Sequence, residues 1–325
     1  MSVPRGTYSV LRPALLLIAL CGAFITASAQ YDATFSYYWD TDFLQNPAAM
    51  NKNTTLNIVG SYSMKMTGYA NSPKTMFIGV NSVMPYGNDK HSLGLAIVND
   101  HAGLFVHNRL YVNYAYKVKL FGGSLDIGVQ GGFLSEQFNT SKLDAVQAND
   151  PAFPTGNESG SSVDLGAGVY YSRPSWYLGL AADHLTSPSV YYGKGHSVSA
   201  NLVIRTQFYF EGGYNINFKN SLLSLHPSFQ VLTDMRGNYT ADITVRGKYA
   251  IRENALFAGL GYSPSTSVTV LVGGRIKDIS LGYAYQIYTS GVGALNGGHD
   301  LFLSYSKQMD FGKKRKNAHK TVRYL

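Results

Sequence analysis

Residues 277–288 alternate apolar and polar side chains without a break. One face of this segment carries Ile279, Leu281, Tyr283, Tyr285 and Ile287. Apolar residues at every second position predict a strand with one apolar face. The pattern recurs along the chain. A bilayer offers backbone groups no hydrogen bonds, so only helices and closed barrels can cross it. Repeated alternation rich in tyrosine therefore predicts a transmembrane antiparallel β-barrel.

About fourteen strands are expected, so both ends of the barrel should lie in the periplasm. Their spans are 55–66, 74–84, 92–99, 108–120, 124–137, 162–172, 174–184, 204–218, 220–232, 238–249, 254–263, 265–276, 277–288 and 298–308. Turning Lys117 or Arg246 toward lipid would cost roughly 2–4 kcal/mol near the midplane, so the polar faces should line the lumen. Connections that lead from an even-numbered predicted strand to the next strand are short. Those that lead from an odd-numbered strand include the long segments 139–161, 186–201 and 289–297. This asymmetry is typical of short periplasmic turns and longer surface loops.

The composition agrees with a barrel better than with a helical membrane protein. Hydrophobic types make up 45% of the 325 residues, yet the mean hydropathy is only −0.08. Every second barrel residue faces the lumen, which hides the membrane character in such averages. The 34 glycines suit crowded lumen positions and turns, and the 25 tyrosines suit the interfacial girdles.

Residues 1–29 are predicted to be a secretory signal peptide. Arg5 and Arg12 form a basic start, an apolar run follows, and Ala27-Ser28-Ala29 is a cleavage motif, so we expect cleavage after Ala29. The chain's single cysteine, Cys21, lies within this segment. Disulfides, thiolate metal sites and cysteine nucleophiles are therefore excluded from the mature chain.

Residues 30–54 form an N-terminal segment that is too aromatic to be a solvated linker. It contains Trp39, Phe43, Asn46 and Pro47. We expect it to plug the lumen or to pack under the periplasmic mouth of the barrel, and these four residues are candidates for plug or partner contacts. The barrel itself is expected to span residues 55–308.

Residues 309–325 form a basic tail. Its candidate partner contacts are Lys313, Lys314, Arg315, Lys316 and Arg323. The signal peptide and the segment from Lys307 onward carry all of the formal net charge of +8, so residues 30–306 are neutral. Because the basic residues are not clustered on the predicted barrel, nucleic-acid binding is excluded.

Catalytic and metal-binding patterns are weak. Asn99-Asp100-His101 and Asp183-His184 combine an acid with histidine, but adjacent strand residues point to opposite faces, which favours a structural interpretation. Ser224, His226 and Ser228 share one face, as a serine nucleophile and its base would. Because no Asn or Asp lies near them on that strand, they are interpreted as lumen-lining. No metal-ligand spacing occurs, so we expect no cofactor, no metal and no enzymatic activity.

Several motifs taken in order are similar to those of the PorP/SprF family of Bacteroidota outer-membrane proteins. The first is FLQNPA at residues 43–48. The others are LGLAIVND at 93–100 with Gly103, LGAGVYY at 165–171, WYLGL at 176–180 with His184-Leu185, GHDL at 298–301 and RYL at 323–325. Together they cover nearly the whole mature chain.

This resemblance implies a non-enzymatic barrel subunit of the type IX protein secretion machinery, which is linked to gliding motility in some members. It further implies docking to periplasmic secretion-system lipoproteins and a peptidoglycan-binding partner, with outer-membrane lipid around the wall. An alternative is a transporter of hydrophobic small molecules, because Asn46-Pro47-Ala48 before a barrel also resembles the fatty-acid porins. A surface enzyme and a general porin are the remaining alternatives.

Overall fold

A computed structural model describes the chain at residues 32–50, 56–84, 89–139, 158–192, 200–219, 222–264, 266–290 and 297–308. Its strands are β1 Leu56–Met64, β2 Lys74–Val83, β3 His91–Ala102, β4 Phe105–Leu120, β5 Gly123–Phe138, β6 Glu158–Ser172, β7 Trp176–Asp183, β8 Ser189–Tyr192, β9 Ala200–Val203, β10 Gln207–Tyr214, β11 Ile216–Asn217, β12 Leu223–Thr233, β13 Tyr239–Ile251, β14 Asn254–Ser263, β15 Ser267–Ile276, β16 Ile279–Tyr288 and β17 Gly298–Lys307.

The strands close into an antiparallel barrel with fourteen positions around its wall. We call the strand, or interrupted strand, at each position a stave. Each pairs with its sequence neighbours, and β1 closes on β17 with Leu56 opposite Lys307. One stave consists of β10 and β11, interrupted at Asn215, and it pairs with both β7 and β12. Strands β8 and β9 form a separate hairpin within the connection from β7 to β10. The fold class predicted from alternation is confirmed.

Burial in this molecule is inverted relative to a soluble protein. On β4, Arg109 and Asn113 are 6% and 0% exposed, whereas Leu110 and Val112 on the opposite face are 43% and 55% exposed. The same inversion holds on β13, where Ile243 faces outward. Polar residues thus line the lumen and apolar residues form the outer wall, as bilayer insertion requires.

The two rims of the barrel differ in the length of their connections. One rim, termed the short-turn rim, has connections at 84–90, 121–122, 173–175, 218–222, 252–253 and 277–278. The other, termed the long-loop rim, includes the connections 139–157, 184–206 and 289–297. In outer-membrane barrels, short turns face the periplasm.

Some predicted strand boundaries were wrong. Strand β3 continues past the predicted end at residue 99 to Ala102, and the turn falls at 103–104. Strand β6 begins at Glu158, four residues before the predicted start. The predicted strand 204–218 begins at Gln207 and is interrupted at Asn215. Most of the predicted loop 139–161 lies outside the described residues.

Residues 32–50 run inside the lumen, and we term them the plug. They form one turn of helix, α1 Tyr38–Thr41, and two short 3-10 helices at Asp42–Leu44 and Pro47–Met50. Their buried aromatic side chains make up much of the largest apolar cluster in the described part of the chain. Among the described residues, no helix is long and apolar enough to cross a membrane.

Candidate functional site

The plug begins at a charged anchor near the long-loop rim. Asp32 is buried, and its carboxylate accepts hydrogen bonds from the Arg109 guanidinium and from the Tyr209 hydroxyl, the latter at 2.5 Å. His184 lies between two carboxylates, with Nε2 3.1 Å from Asp32 and Nδ1 2.6 Å from Asp164. These contacts join the start of the plug to strands β4, β6 and β10 and to the connection that follows β7.

The electrostatics of this anchor favour its charged form. Burial alone would raise the pKa of Asp32, but His184 and Arg109 outweigh it and hold that pKa well below its usual range. Burial would lower the pKa of His184, yet the Asp32 and Asp164 carboxylates raise it to about 10. At neutral pH the imidazolium thus bridges two carboxylates.

Aromatic side chains fix the middle of the plug against the wall. The Tyr37 ring stacks on Phe302 with centroids 5.2 Å apart. Its hydroxyl lies 2.8 Å from the carbonyl oxygen of Val272 and 2.9 Å from that of Tyr283. A side chain at Gly282 would overlap this ring, so the tyrosine occupies space that the glycine leaves in the wall.

Trp39 and Phe43, two of the predicted contact residues, are buried within the lumen. Trp39 lies under the Arg246 guanidinium, whose carbon is 4.5 Å from the ring centroid. Phe43 packs against Phe77 at 5.5 Å, and the Asn113 side chain donates to the Phe43 carbonyl oxygen at 2.8 Å. Both residues hold the plug to the lumen wall.

Asn46 and Pro47, the other two predicted residues of the N-terminal segment, lie where the last 3-10 helix of the plug begins. The Asn46 amide donates to Glu211 at 3.1 Å, and its oxygen accepts from the Ala48 backbone N–H at 3.0 Å. Pro47 and Ala48 lie directly on Gly128 of β5. The predicted tail residues Lys313, Lys314, Arg315, Lys316 and Arg323 lie outside the described residues.

The short-turn rim is basic. Five of its six connections contain an exposed lysine or arginine, and Lys119 lies beside the sixth. The five are Lys90, Arg173, Lys219, Arg252 and Lys277. Only Asp89, Glu253 and Asp278 offset them within these turns. Strand β17 also ends at this rim with Lys307, beside the ring of cations.

The structure corrects one prediction about polar residues and adds a partner to another. Asp183 and His184 were expected on opposite faces, but both are buried, because His184 has a left-handed φ of 56° after the strand ends. Ser224 and His226 line the lumen as predicted, and no Asn or Asp of their own strand lies beside them. Asn215, on the neighbouring stave, lies 2.7 Å from His226 Nδ1. Within the described ranges, no group of three metal-ligating side chains is suited to hold an ion.

The closed wall and the apolar exterior define an outer-membrane β-barrel, and its lumen is filled by the plug. The family described as "Type IX secretion system membrane protein PorP/SprF" matches residues 27–305. The chain belongs to this family, which confirms the resemblance seen in its motifs. No curated protein sequence matches the chain.

Several solved structures are similar to this chain at low sequence identity. The Ralstonia pickettii toluene transporter TbuX has a TM-score of 0.51 and 13% identity, covering 83% of this chain and 94% of that one. The Pseudomonas putida toluene transporter TodX scores 0.44 at 12% identity, covering 87% and 96%. A Pseudomonas aeruginosa FadL homologue scores 0.44 at 15% identity, covering 82% and 93%. The TbuX match shows a shared barrel fold, and the two lower scores add nothing to it.

Proposed function

We propose that the chain is an outer-membrane subunit of the type IX secretion machinery that docks periplasmic secretion-system lipoproteins and a peptidoglycan-binding partner. Family membership supports the assignment to this machinery. The observation that carries the docking role is the ring of exposed cations on the short-turn rim. Such a ring complements an acidic partner surface below the membrane and steers its approach.

The tail at residues 309–325 extends this basic surface in our proposal. Strand β17 ends at the same rim as Lys90 and Arg252, so in this proposal the cations of the tail increase the positive charge of the ring. Each exposed ion pair contributes about 0.2–1 kcal/mol and is screened by salt. Docking therefore relies on many weak contacts, and it should weaken as ionic strength rises.

The segments outside the barrel have separate roles in this proposal. Residues 1–29 direct export and are removed after Ala29, which N-terminal sequencing of the membrane-extracted protein would test. Residues 30–54 close the lumen, since the described part of this segment, residues 32–50, is packed inside the wall. Trp39, Phe43, Asn46 and Pro47 then act within the plug, and the tail cations act on the partner.

Affinity purification of the tagged full-length chain from its own outer membrane, followed by mass spectrometry, tests the docking role. We expect periplasmic lipoproteins to be recovered with the wild-type protein. Deleting residues 313–325, or combining Arg252→Glu with Lys277→Glu, should leave the barrel inserted and reduce this recovery. Arg236→Glu, an exposed reversal at the long-loop rim, is the matched control. Unchanged recovery from both rim and tail variants would contradict the proposal.

Transport of hydrophobic small molecules is the second candidate function. Two observations favour it, the fold shared with TbuX and the segment that fills the lumen. Native mass spectrometry of the detergent-extracted barrel separates the two functions. A bound apolar ligand without co-purified lipoproteins would favour transport. A general porin requires an open pore, so high single-channel conductance of the intact protein would favour that function instead.

A further inference from the structure

Three polar side chains at the short-turn end of the lumen form a continuous hydrogen-bonded chain. Ser224 Oγ lies 2.8 Å from His226 Nε2, and His226 Nδ1 lies 2.7 Å from Asn215 Oδ1. The Asn215 amide nitrogen is directed to the Pro174 carbonyl oxygen at 3.5 Å, which turns the amide oxygen toward the imidazole. His226 then carries its proton on Nδ1, and Nε2 is left to accept the serine proton.

The strand register produces this chain of contacts. Ser224 and His226 are two residues apart on β12, so they share the lumen face. The backbone pairing of β12 with β10 and β11 is interrupted beside His226, between the pairs Gly213–Ser228 and Ile216–Leu225. Pro227 lies in this gap and has no N–H to donate. The Asn215 backbone N–H donates instead to the Ser175 carbonyl oxygen at 2.7 Å. This break places the Asn215 side chain against the imidazole.

Two cations lie opposite the same residues on the other neighbouring strand. In the register of β12 with β13, Lys248 is opposite Ser224 and Arg246 is opposite His226. Directly opposed residues on one face of a sheet have Cβ atoms about 4.5–5.5 Å apart. If Ser224 Oγ attacked a carbonyl carbon, the negative charge that develops on the carbonyl oxygen would lie close to these two positive side chains.

An open cavity adjoins this group. It has a volume of about 540 Å³ and lies at the short-turn rim. Asn215 and Arg246, which flank His226 on its two sides, both line it. The lining also includes the aromatic residues Trp39, Tyr170 and Tyr177, a second cation, Arg173, and one carboxylate, Asp40, whose Oδ2 lies 4.0 Å from Arg246 Nη1. Two cations against one carboxylate leave the lining with a net positive charge. The cavity suits a small molecule with an apolar or aromatic part and an anionic group.

We propose that Ser224, His226 and Asn215 form a serine-nucleophile site that hydrolyses small anionic carboxylic esters entering from the periplasmic side. His226 Nε2 accepts the Ser224 proton as Oγ attacks the ester carbonyl carbon. The ester C–O bond breaks, the alcohol leaves with that proton, and an acyl-serine remains. Water then attacks the acyl carbon through the same base, which releases the acid and restores the serine.

The residues have distinct roles in this site. Ser224 and His226 are the catalytic residues, since they act on the reacting atoms. Asn215 is a positioning residue that holds the imidazole in one tautomer. Arg246 and Lys248 face the developing oxyanion. The orienting amide comes from a neighbouring stave, so the sequence of β12 alone does not reveal it.

Covalent labelling of the full-length protein, extracted from its outer membrane in detergent, tests the nucleophile directly. We expect a fluorophosphonate probe to modify Ser224, identified by peptide mass spectrometry, and Ser224→Ala to lose the label. Ser228→Ala is the matched control. Ser228 lies on the same face of β12, but its hydroxyl pairs with Tyr38 at 2.8 Å, so labelling should persist. Because the adduct is mapped on the wild-type chain, this test does not depend on a variant folding.

Hydrolysis of mono-4-nitrophenyl succinate, compared with the neutral 4-nitrophenyl butyrate, tests the substrate class. The anionic ester should be the faster substrate, and Arg246→Gln should reduce that preference. His226→Gln should lower kcat at least about 100-fold. Asn215→Ala should lower kcat, and Asn215→Asp should restore part of it with a changed pH profile. Absence of label on Ser224, or equal hydrolysis by Ser224→Ala and wild-type protein, would overturn the proposal.

Discussion

At the scale of single residues, the anchor of the plug shows how one histidine can stabilise a long-range contact. His184 and Asp32 are 152 positions apart in the chain, yet their side chains meet inside the lumen. The left-handed φ of His184 turns its ring inward after β7 ends. A second carboxylate, Asp164, then holds the opposite nitrogen of the ring. The pair can act as an ion pair only while the imidazole is protonated.

The pH dependence of stability should therefore reflect His184. Its pKa in the folded protein, about 10, lies above the value of roughly 6.5 expected in an unfolded chain. A raised pKa means that the stabilisation is complete below pH about 6.5 and is lost as the pH rises toward 10. We expect the thermal unfolding temperature, measured by heat-modifiability on gels, to fall across this range. His184→Gln should flatten the profile.

His299→Gln provides the matched control for this prediction. His299 also lies at the long-loop end of the barrel, but its Nδ1 pairs with the Tyr283 hydroxyl at 2.7 Å instead of with a carboxylate. This variant should retain the alkaline decline of the wild-type protein. An identical alkaline profile in wild type and His184→Gln would contradict the role assigned to the His184 ion pairs. The Asp32 pKa is lowered, so its own contribution disappears only in acid.

Single residues are also where prediction from sequence fails most clearly. Asp100 looks like a turn residue beside Ala102-Gly103, but the structure keeps it inside β3, where the Thr75 hydroxyl donates to it at 2.5 Å. Asp183 and His184 were assigned opposite faces on the assumption of regular strand geometry. The partners that decide each case, Thr75 and Asp32, are distant in the chain, and a local pattern contains no information about them.

At the scale of elements, glycines in the barrel strands make room for the plug to pack against the wall. A Cβ on Gly128 would overlap the backbone of Pro47 and Ala48, and one on Gly94 would lie 2.6 Å from the Met50 sulfur. Strands β3 and β5 thus leave grooves that the last 3-10 helix of the plug occupies. The aromatic content of residues 30–54 predicted a plug or a segment packed under the mouth, but it could not identify these grooves.

Gly128→Ala should weaken the packing of the plug against β5. The added carbon meets backbone atoms of the plug that cannot rotate away, and overpacking of this kind costs typically 1–3 kcal/mol. We expect a lower midpoint of heat-modifiability and faster proteolysis within residues 32–50. The control is Gly131→Ala on the same strand, where an added carbon meets nothing within 4 Å. Equal stability of the two variants would show that the plug is not held at Gly128.

Strands were easier to predict than the plug for a physical reason. Lipid on one side and a polar lumen on the other impose a period of two on every stave, so alternation alone locates them. The signal weakens beyond the bilayer, as in the first part of β6, where Ser159, Ser161 and Ser162 give no alternation. The plug consists of single turns whose conformation depends on wall contacts, and no repeating pattern marks it.

At the scale of the whole molecule, the outer wall is a continuous apolar belt between two polar rims. Opposed outward positions such as Leu110 and Ile97 extend it from stave to stave around the closed sheet. The filled lumen and the basic ring lie inside and below this belt, respectively. The docking that we propose depends on the belt, because the belt fixes the depth at which the short-turn rim meets the periplasm.

The depth of the belt can be measured with one substitution at two heights on a single strand. Leu110 and Leu120 both face outward on β4, the first near its middle and the second at the short-turn rim. Leu110→Arg should destabilise the inserted barrel by roughly 2–4 kcal/mol, and Leu120→Arg by about 0–1 kcal/mol, because a cation at the interface remains hydrated. Urea titration of the barrel in lipid vesicles measures the difference. Equal losses at the two heights would mean that Leu110 does not lie in the hydrocarbon layer, and the position of the basic rim at the periplasmic surface would then have to be abandoned as well.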